Sequence, residues 1–364
     1  MIRTMLRGTL ALAVALALGA AGTWLWVAVR YHLIAPLAAD TAHSCARIPG
    51  VAKPEDVAVD TVRGGAFVSG SGANGRAVPG LYRVDFSGGQ ASLTNAVAAP
   101  PPLALQPHGL SLYTGPDGRQ TLFVVNHAAQ GHQIMIFDVQ ADGRLMWRST
   151  LRDPALYSPN DVAAVSPSAF YVSNATRAPT AKTLATAWGR LKALLNFPAT
   201  GNVAYFDGVS FHTVADGFKL ANGVSMSPDG KYVLVSETFG QRVSIFRRDG
   251  ATNALRLERR VALPGGPDNI DSAPDGTFYV AVTPRLPDLL AYTRKMSLTR
   301  PATEIVRLDP REWKVNPVWR DNGTKLAAIS SGVAYRTADG RPGLLFGNIS
   351  PDDNFVLNCT EAKR

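Results

Sequence analysis

The sequence predicts an all-β fold, and three observations sharpen it to a six-bladed β-propeller. A polar residue or pair heads a short alternating apolar run six times: Pro54-Glu55-Asp56-Val57-Ala58-Val59, Pro107-His108-Gly109-Leu110-Ser111-Leu112, Pro159-Asn160-Asp161-Val162-Ala163-Ala164-Val165, Ala221-Asn222-Gly223-Val224-Ser225-Met226, Pro267-Asp268-Asn269-Ile270-Asp271 and Ser331-Gly332-Val333-Ala334-Tyr335. Each run meets a turn, such as Pro116-Asp117-Gly118, Pro228-Asp229-Gly230 or Pro274-Asp275-Gly276. A second β-rich run follows each turn, as in Thr121-Leu122-Phe123-Val124-Val125, so the unit is a hairpin of period-two patterning. The turns recur about every 55 residues, the span of a four-stranded blade with its loops.

The elements follow in order along the chain. Residues Gly8 to Val29 are uncharged and apolar, and at about 1.5 Å per residue they reach roughly 33 Å, enough to cross a bilayer. We read residues 1–32 as a membrane anchor or uncleaved signal, and 45–364 as the propeller. Leu18-Gly19-Ala20-Ala21-Gly22 would suit a cleaved signal peptide, but Trp24, Trp26 and the continued apolar run favour an anchor. Arg3 and Arg7 ahead of the segment outweigh Arg30 behind it, which places the propeller outside the cytoplasm, in a periplasmic or extracellular space.

Cys45 and Cys359 are the two cysteines, near the two ends of the propeller region. A bond between them would lock ring closure in an oxidising compartment; two buried free thiols are the alternative. One helix is expected, Thr180 to Phe197, with Leu184, Trp188, Leu191 and Leu195 on one face. It either packs on the propeller or covers the channel mouth and touches the membrane. At 46% hydrophobic residues the chain can bury a large core, and the net charge of +9 comes with no nucleic-acid motif, so it reads as solvated surface that also suits an anionic membrane.

In a propeller the inner strands line a central channel, so equivalent strand heads converge near its axis. Glu55, Asn160, Asn222, Asp268 and Asn269 would gather oxygen ligands there, the donor set calcium prefers. Asp56 and Asp161 alternate to the other face, where a second cation could use them. His108 heads the second repeat and His127 ends the return strand of the same hairpin, making them neighbours able to take and pass a proton. His32, His43, His132 and His212 fall outside this pattern. Other templates fail: there is no Gly-x-Ser-x-Gly or His-Glu-x-x-His, and the Gly-x-Gly-x-x-Gly of residues 70–75 is followed by a strand-like run where a helix is required.

With these positions together the chain resembles the paraoxonases, a family of calcium-dependent arylesterases and lactonases with six-bladed propellers. The resemblance runs from Cys45 to Cys359. It is carried by Glu55-Asp56, Pro107-His108-Gly109, Val125-Asn126-His127, Pro159-Asn160-Asp161-Val162, Ala221-Asn222-Gly223 with Ser227-Pro228-Asp229-Gly230, Asp268-Asn269-Ile270 and Asp321-Asn322-Gly323-Thr324. It implies two calcium ions, a catalytic one held by Glu55, Asn160, Asn222, Asp268 and Asn269, and a structural one at Asp56, Asp161 and the Leu110 carbonyl. It also implies a His108–His127 dyad, a Cys45–Cys359 disulfide and a retained hydrophobic leader. The chain departs from the family at Asn174-Ala175-Thr176-Arg177 and in the loop from Ser69 to Pro79, both of which would shape the pocket wall.

The expectation is therefore a calcium-dependent hydrolase acting on small-molecule lactones and aryl esters, with the membrane met through the N-terminal segment and no nucleic-acid partner. A gluconolactonase-type sugar-lactone hydrolase and a non-catalytic, calcium-stabilised binding propeller are the rival readings.

Overall fold

Each β-branched or aromatic run is long enough for one strand and is closed by a turn, so the chain folds as successive antiparallel hairpins. The computed structural model describes residues 2–34, 37–39, 42–72, 78–86, 91–178, 184–337 and 339–361. It contains β1 (His43–Pro49), then β2 (Pro54–Asp60), β3 (Gly65–Gly70), β4 (Gly80–Asp85) and β5 (Ser92–Asn95) as the first blade. The second is β6 (Pro107–Thr114), β7 (Gln120–Ala128), β8 (Gly131–Val139) and β9 (Leu145–Leu151), and the third β10 (Pro159–Ala164), β11 (Phe170–Asn174), β12 (Gly201–Phe206) and β13 (Phe211–Phe218). The fourth is β14 (Ala221–Met226), β15 (Tyr232–Glu237), β16 (Arg242–Arg248) and β17 (Leu255–Ala262), and the fifth β18 (Gly266–Ser272), β19 (Phe278–Thr283), β20 (Thr303–Asp309) and β21 (Lys314–Asp321). The sixth joins β22 (Ile329–Arg336), β23 (Pro342–Asn348) and β24 (Phe355–Glu361) to β1.

The six-bladed propeller is thus the observed fold, and its ring closes by pairing the first strand with the last. Cys45 stands opposite Cys359 in that pairing and is bonded to it, with Cα atoms 4.0 Å apart. The expected disulfide is present and the free-thiol alternative falls. Between blades the apolar side chains interdigitate: Val125, Val162 and Phe170 pack blade two on blade three, and Val57, Val333 and Leu345 pack blade six on blade one.

Every inner strand carries a register irregularity after its first residue or, in β18, its second. A bulge of this kind re-aims one side chain out of the normal alternation. The re-aimed residues are Glu55, His108, Asn160, Asn222, Asp268 and Ser330. In the sixth blade Ile329 pairs with Asn348 and holds the first place, so the repeat begins two residues earlier than the Ser331 head read from the sequence.

Among the described residues three helices accompany the ring: α1 (Ile2–Arg30), α2 (Ala187–Asn196) and α3 (Leu286–Thr293). Residues 9–30 of α1 form an uninterrupted apolar span long enough to cross a membrane. The helix expected from Thr180 is shorter: residues 179–183 lie outside the described residues, and Thr186 caps α2 by accepting the Gly189 N–H at 3.0 Å. Its expected apolar face is buried only in part. Leu184 is buried and Leu191 packs against the same cluster, alongside buried Gly189 and Ala193, whereas Trp188 is 61% exposed and Leu195 40%. The third helix gave no periodic signal; eight residues starting with Leu286-Pro287 are too few for one.

The far ends of β11, β15 and β19 pair with the heads of β10, β14 and β18. The loops leaving them, which hold α2, Phe239 and α3, therefore lie at the same end of the ring as the strand heads. There Val27 and Tyr31, at the end of α1, join Ala193, Phe197, Phe239, Leu286, Leu289 and Ala328 in one buried cluster. Tyr31 donates its hydroxyl proton to the Leu194 carbonyl at 2.6 Å, and Arg30 donates to Gly240 at 3.2 Å.

Candidate functional site

The bulged heads bring Glu55, Asn160, Asn222, Asp268 and Asn269 to one end of the channel. Glu55 and Asn269 are each 1% exposed, although they lie 214 residues apart, and the Asn269 amide donates to Glu55 Oε1 at 3.1 Å. The Asn222 amide nitrogen donates to Thr238 Oγ1 at 3.0 Å. That hydroxyl is itself committed to the Pro267 carbonyl at 2.8 Å, so it can only accept from Asn222, and the amide is held with its oxygen inward. Glu55 Oε2 and the side-chain oxygens of Asn160, Asn222 and Asn269 are shielded from solvent and accept no hydrogen bond.

Buried acceptors without donors are rare and costly, and a group of them on one opening calls for a cation. Oxygen donors alone, mostly amide and carboxylate, match calcium and suit zinc or copper poorly. Among the described residues no three His, Cys, Asp or Glu side chains form a metal cluster, which agrees with a set rich in amides. Burial, reinforced by the neighbouring charges of Asp56, Asp268 and Asp161, pushes the Glu55 carboxyl well above its ordinary range. Burial likewise pushes Asp268 up to about 7, against the opposing hydrogen bond from Asn222. Both shifts express the cost of gathering carboxylates without a counter-charge.

The layer below is tied to the scaffold. Asp56 accepts the backbone N–H of Val57 at 2.8 Å and of Leu110, in the next blade, at 2.7 Å. Asp161 does the same with Val162 at 2.7 Å and Val224 at 2.8 Å. Each carboxylate thus staples its own inner strand to the following one. The approach is close enough that a Cβ on Gly109 would stand 2.5 Å from Asp161 Cα, and one on Gly223 would stand 2.6 Å from Ile270 N. In the first five blades acid or amide alternates with glycine at this place, through Asp56, Gly109, Asp161, Gly223 and Asn269, and the close approach at Gly109 and Gly223 makes the glycines a packing requirement.

His108 and His127 are neighbours, with stacked rings whose centroids are 4.9 Å apart. His108 Nδ1 lies 3.0 Å from the Asn160 carbonyl, and His127 Nε2 lies 2.8 Å from the Pro159 carbonyl. A carbonyl only accepts, so each of those nitrogens carries the proton. His108 keeps its Nε2 lone pair and His127 its Nδ1 lone pair. Burial, then the adjacent His127, lowers the His108 pKa to about 3, so its resting ring is neutral. Glu55 Oε2 is 3.2 Å from His108 Nδ1 but receives no hydrogen bond, since that proton is directed to Asn160.

His132 does not stand apart as the sequence suggested. It sits directly opposite His127 in the hairpin of β7 and β8, with ring centroids 4.8 Å apart in an edge-to-face contact. The signal was available: Ala128 pairs with Gly131, which makes His127 and His132 the next cross-strand pair. In the divergent loop of blade three, Arg177 stacks over the Tyr157 ring at 3.9 Å, a contact that the strand pattern did not flag. Residues 73–77 of the other divergent loop, with the second half of the Gly-x-Gly-x-x-Gly run, lie outside the described residues.

Residues 81–349 match the family model described as arylesterase. The chain belongs to the arylesterase family. Among curated proteins, serum paraoxonase/arylesterase 1 of Homo sapiens is 29% identical over 238 residues, covering 64% of this chain and 64% of its own. Serum paraoxonase/arylesterase 2 of Rattus norvegicus is 30% identical over 239 residues, again 64% of each. The match therefore spans 64% of the length of these curated relatives. Among solved structures, a gluconolactonase of Xanthomonas campestris aligns at TM-score 0.54 with 16% identity, covering 89% of this chain and 92% of that one. A calcium-binding protein, regucalcin, of Agrobacterium tumefaciens aligns at TM-score 0.52 with 14% identity, covering 90% and 96%. At these identities the structural neighbours speak for the fold of this arylesterase-family chain alone.

Proposed function

We propose that this arylesterase-family chain is a calcium-dependent hydrolase of lactones and aryl esters. The observation that carries it is the cluster of donor-free oxygens on Glu55, Asn160, Asn222 and Asn269 beside a histidine whose Nε2 is unprotonated. Glu55, Asn160, Asn222, Asp268 and Asn269 would hold a catalytic ion, and Asp56, Asp161 and the Leu110 carbonyl a structural one. When bound, calcium supplies Lewis-acid stabilisation of negative charge on an ester carbonyl, an effect of several kcal/mol. His108 Nε2 takes a proton from water as that water attacks the carbonyl carbon, and the Asn160 carbonyl holds the ring through its Nδ1 proton. The His127 ring, stacked parallel to His108 at 7°, holds the plane of that ring while Nε2 carries the proton. The proton returns to the departing alkoxide or phenoxide.

The membrane reading belongs to the same proposal. The last turn of α1 is built into the mouth-side cluster, so an anchor crossing a bilayer brings that mouth to the lipid surface. Exposed Trp188 and Leu195 on α2 then meet the interface, where amphipathic aromatic rings favour the headgroup level. The Cys45–Cys359 bond and the charges before α1 support a propeller outside the cytoplasm.

The test is a panel of lactones, aryl esters and sugar lactones assayed with the full chain in detergent, before and after calcium chelation. Turnover of lactones and aryl esters that vanishes with chelator and returns with calcium is the expected result. Turnover confined to polar sugar lactones would favour the gluconolactonase-type reading, and a calcium-replete protein that hydrolyses nothing would leave a binding propeller.

A further inference from the structure

Three histidines, not two, are assembled at the mouth, and the third has no role in the chemistry above. His132 lies across the tightest hairpin of the blade. Ala128 pairs with Gly131 around the two-residue loop Ala129-Gln130, and Gly131 adopts φ +115°, a backbone region natural for glycine. A loop that short fixes register, so the side chains of the next pair, His127 and His132, are forced together. His127 is consequently packed against two rings, parallel to His108 at 7° and edge-to-face with His132 at 67°.

Nδ1 of His132 is shielded from solvent and has no hydrogen-bond partner. No polar contact through that nitrogen orients the ring, and its neighbour is an aromatic face. We propose that His132 is a positioning residue, whose ring edge clamps His127 in the orientation that directs Nε2–H to the Pro159 carbonyl and keeps the His127 face parallel to His108. This rests on the reading of His108 as the base. Without the clamp, His127 is free to turn about its side-chain torsions, the 2.8 Å bond to Pro159 loses its geometry, and the stacked surface that fixes the plane of His108 is no longer maintained. Positional errors of this size in supporting residues cost rate and leave substrate affinity almost untouched.

The experiment compares His132→Ala and His132→Phe with the unaltered full chain. The alanine variant is expected to lower kcat about tenfold with KM and calcium affinity unchanged, and phenylalanine, which restores a ring edge without a titrating group, is expected to recover most of that loss. A second arm reads the tautomer of His127 by nitrogen NMR on histidine-labelled protein: Nε2-protonated in the unaltered chain and in His132→Phe, mixed in His132→Ala. An alanine variant with unchanged kcat and tautomer overturns the clamp, as does a phenylalanine variant no better than alanine. If the unaltered chain binds calcium yet hydrolyses none of the substrates, the hydrolase reading falls, and the NMR arm still decides whether His132 holds His127.

Discussion

The orientation of single side chains is what separates this mouth from a polar depression. Asn222 presents oxygen because the Thr238 hydroxyl already donates its proton to Pro267 and can only accept, and His108 presents a lone pair because Asn160 offers only a carbonyl. On this basis His108→Gln is expected to lower kcat by about 10²–10⁴-fold, the usual contribution of a general base, while calcium binding measured by equilibrium dialysis is retained. Full activity in that variant would exclude His108 as the base. The glycines make a separate prediction. Gly223→Ala places a methyl 2.6 Å from Ile270 N and 2.7 Å from Asn269 Cα, a clash expected to cost about 1–3 kcal/mol and to weaken calcium binding by displacing Asn269. Gly250, which has nothing within 4 Å of the corresponding position, serves as the control, and thermal unfolding should separate the two.

At the scale of elements, the inner strands were legible because their period and their turns are local properties. Val57-Ala58-Val59 announces a strand on its own, and the Asp-Gly turns place glycine where φ is positive, as at Gly118, Gly230 and Gly276. The helices were less legible. The apolar pattern over Leu184, Trp188, Leu191 and Leu195 left open whether the propeller or the membrane covers it, and the face is divided: Leu184 is buried with Gly189 and Ala193, and Trp188 is left to solvent. A periodic pattern reports that a face is apolar, not whether protein or lipid covers it. If the mouth meets the bilayer, Trp188 emission should be quenched by brominated lipid in a chain whose Trp24 and Trp26 are replaced by phenylalanine. Emission untouched by the quencher would separate α2 from the membrane.

For the whole molecule, the decisive event is ring closure. The Cys45–Cys359 bond spans a sequence separation of 314 residues and ties β1 to β24 where a single strand pair closes the blade. Replacing both cysteines by serine is expected to destabilise the propeller by about 2–5 kcal/mol, seen as a lower denaturation midpoint, with the unaltered protein falling to the same midpoint under reductant. A midpoint indifferent to both would assign closure to the β1–β24 hydrogen bonds alone.

By itself the sequence determined the repeat, the blade count, the cysteine pair and the chemical character of the ring, because each is written in residue type and spacing: Glu55, Asn160, Asn222 and Asp268 recur at one place in the unit. Only the tertiary structure decided which of their atoms face one another. That His132 packs on His127, that the inner strand of the sixth blade begins at Ile329 and not at Ser331, and that the end of α1 is part of the mouth depend on a bulge, a two-residue loop and packing between segments far apart in the chain. Local pattern fixes what a strand is, whereas long-range packing fixes where it points.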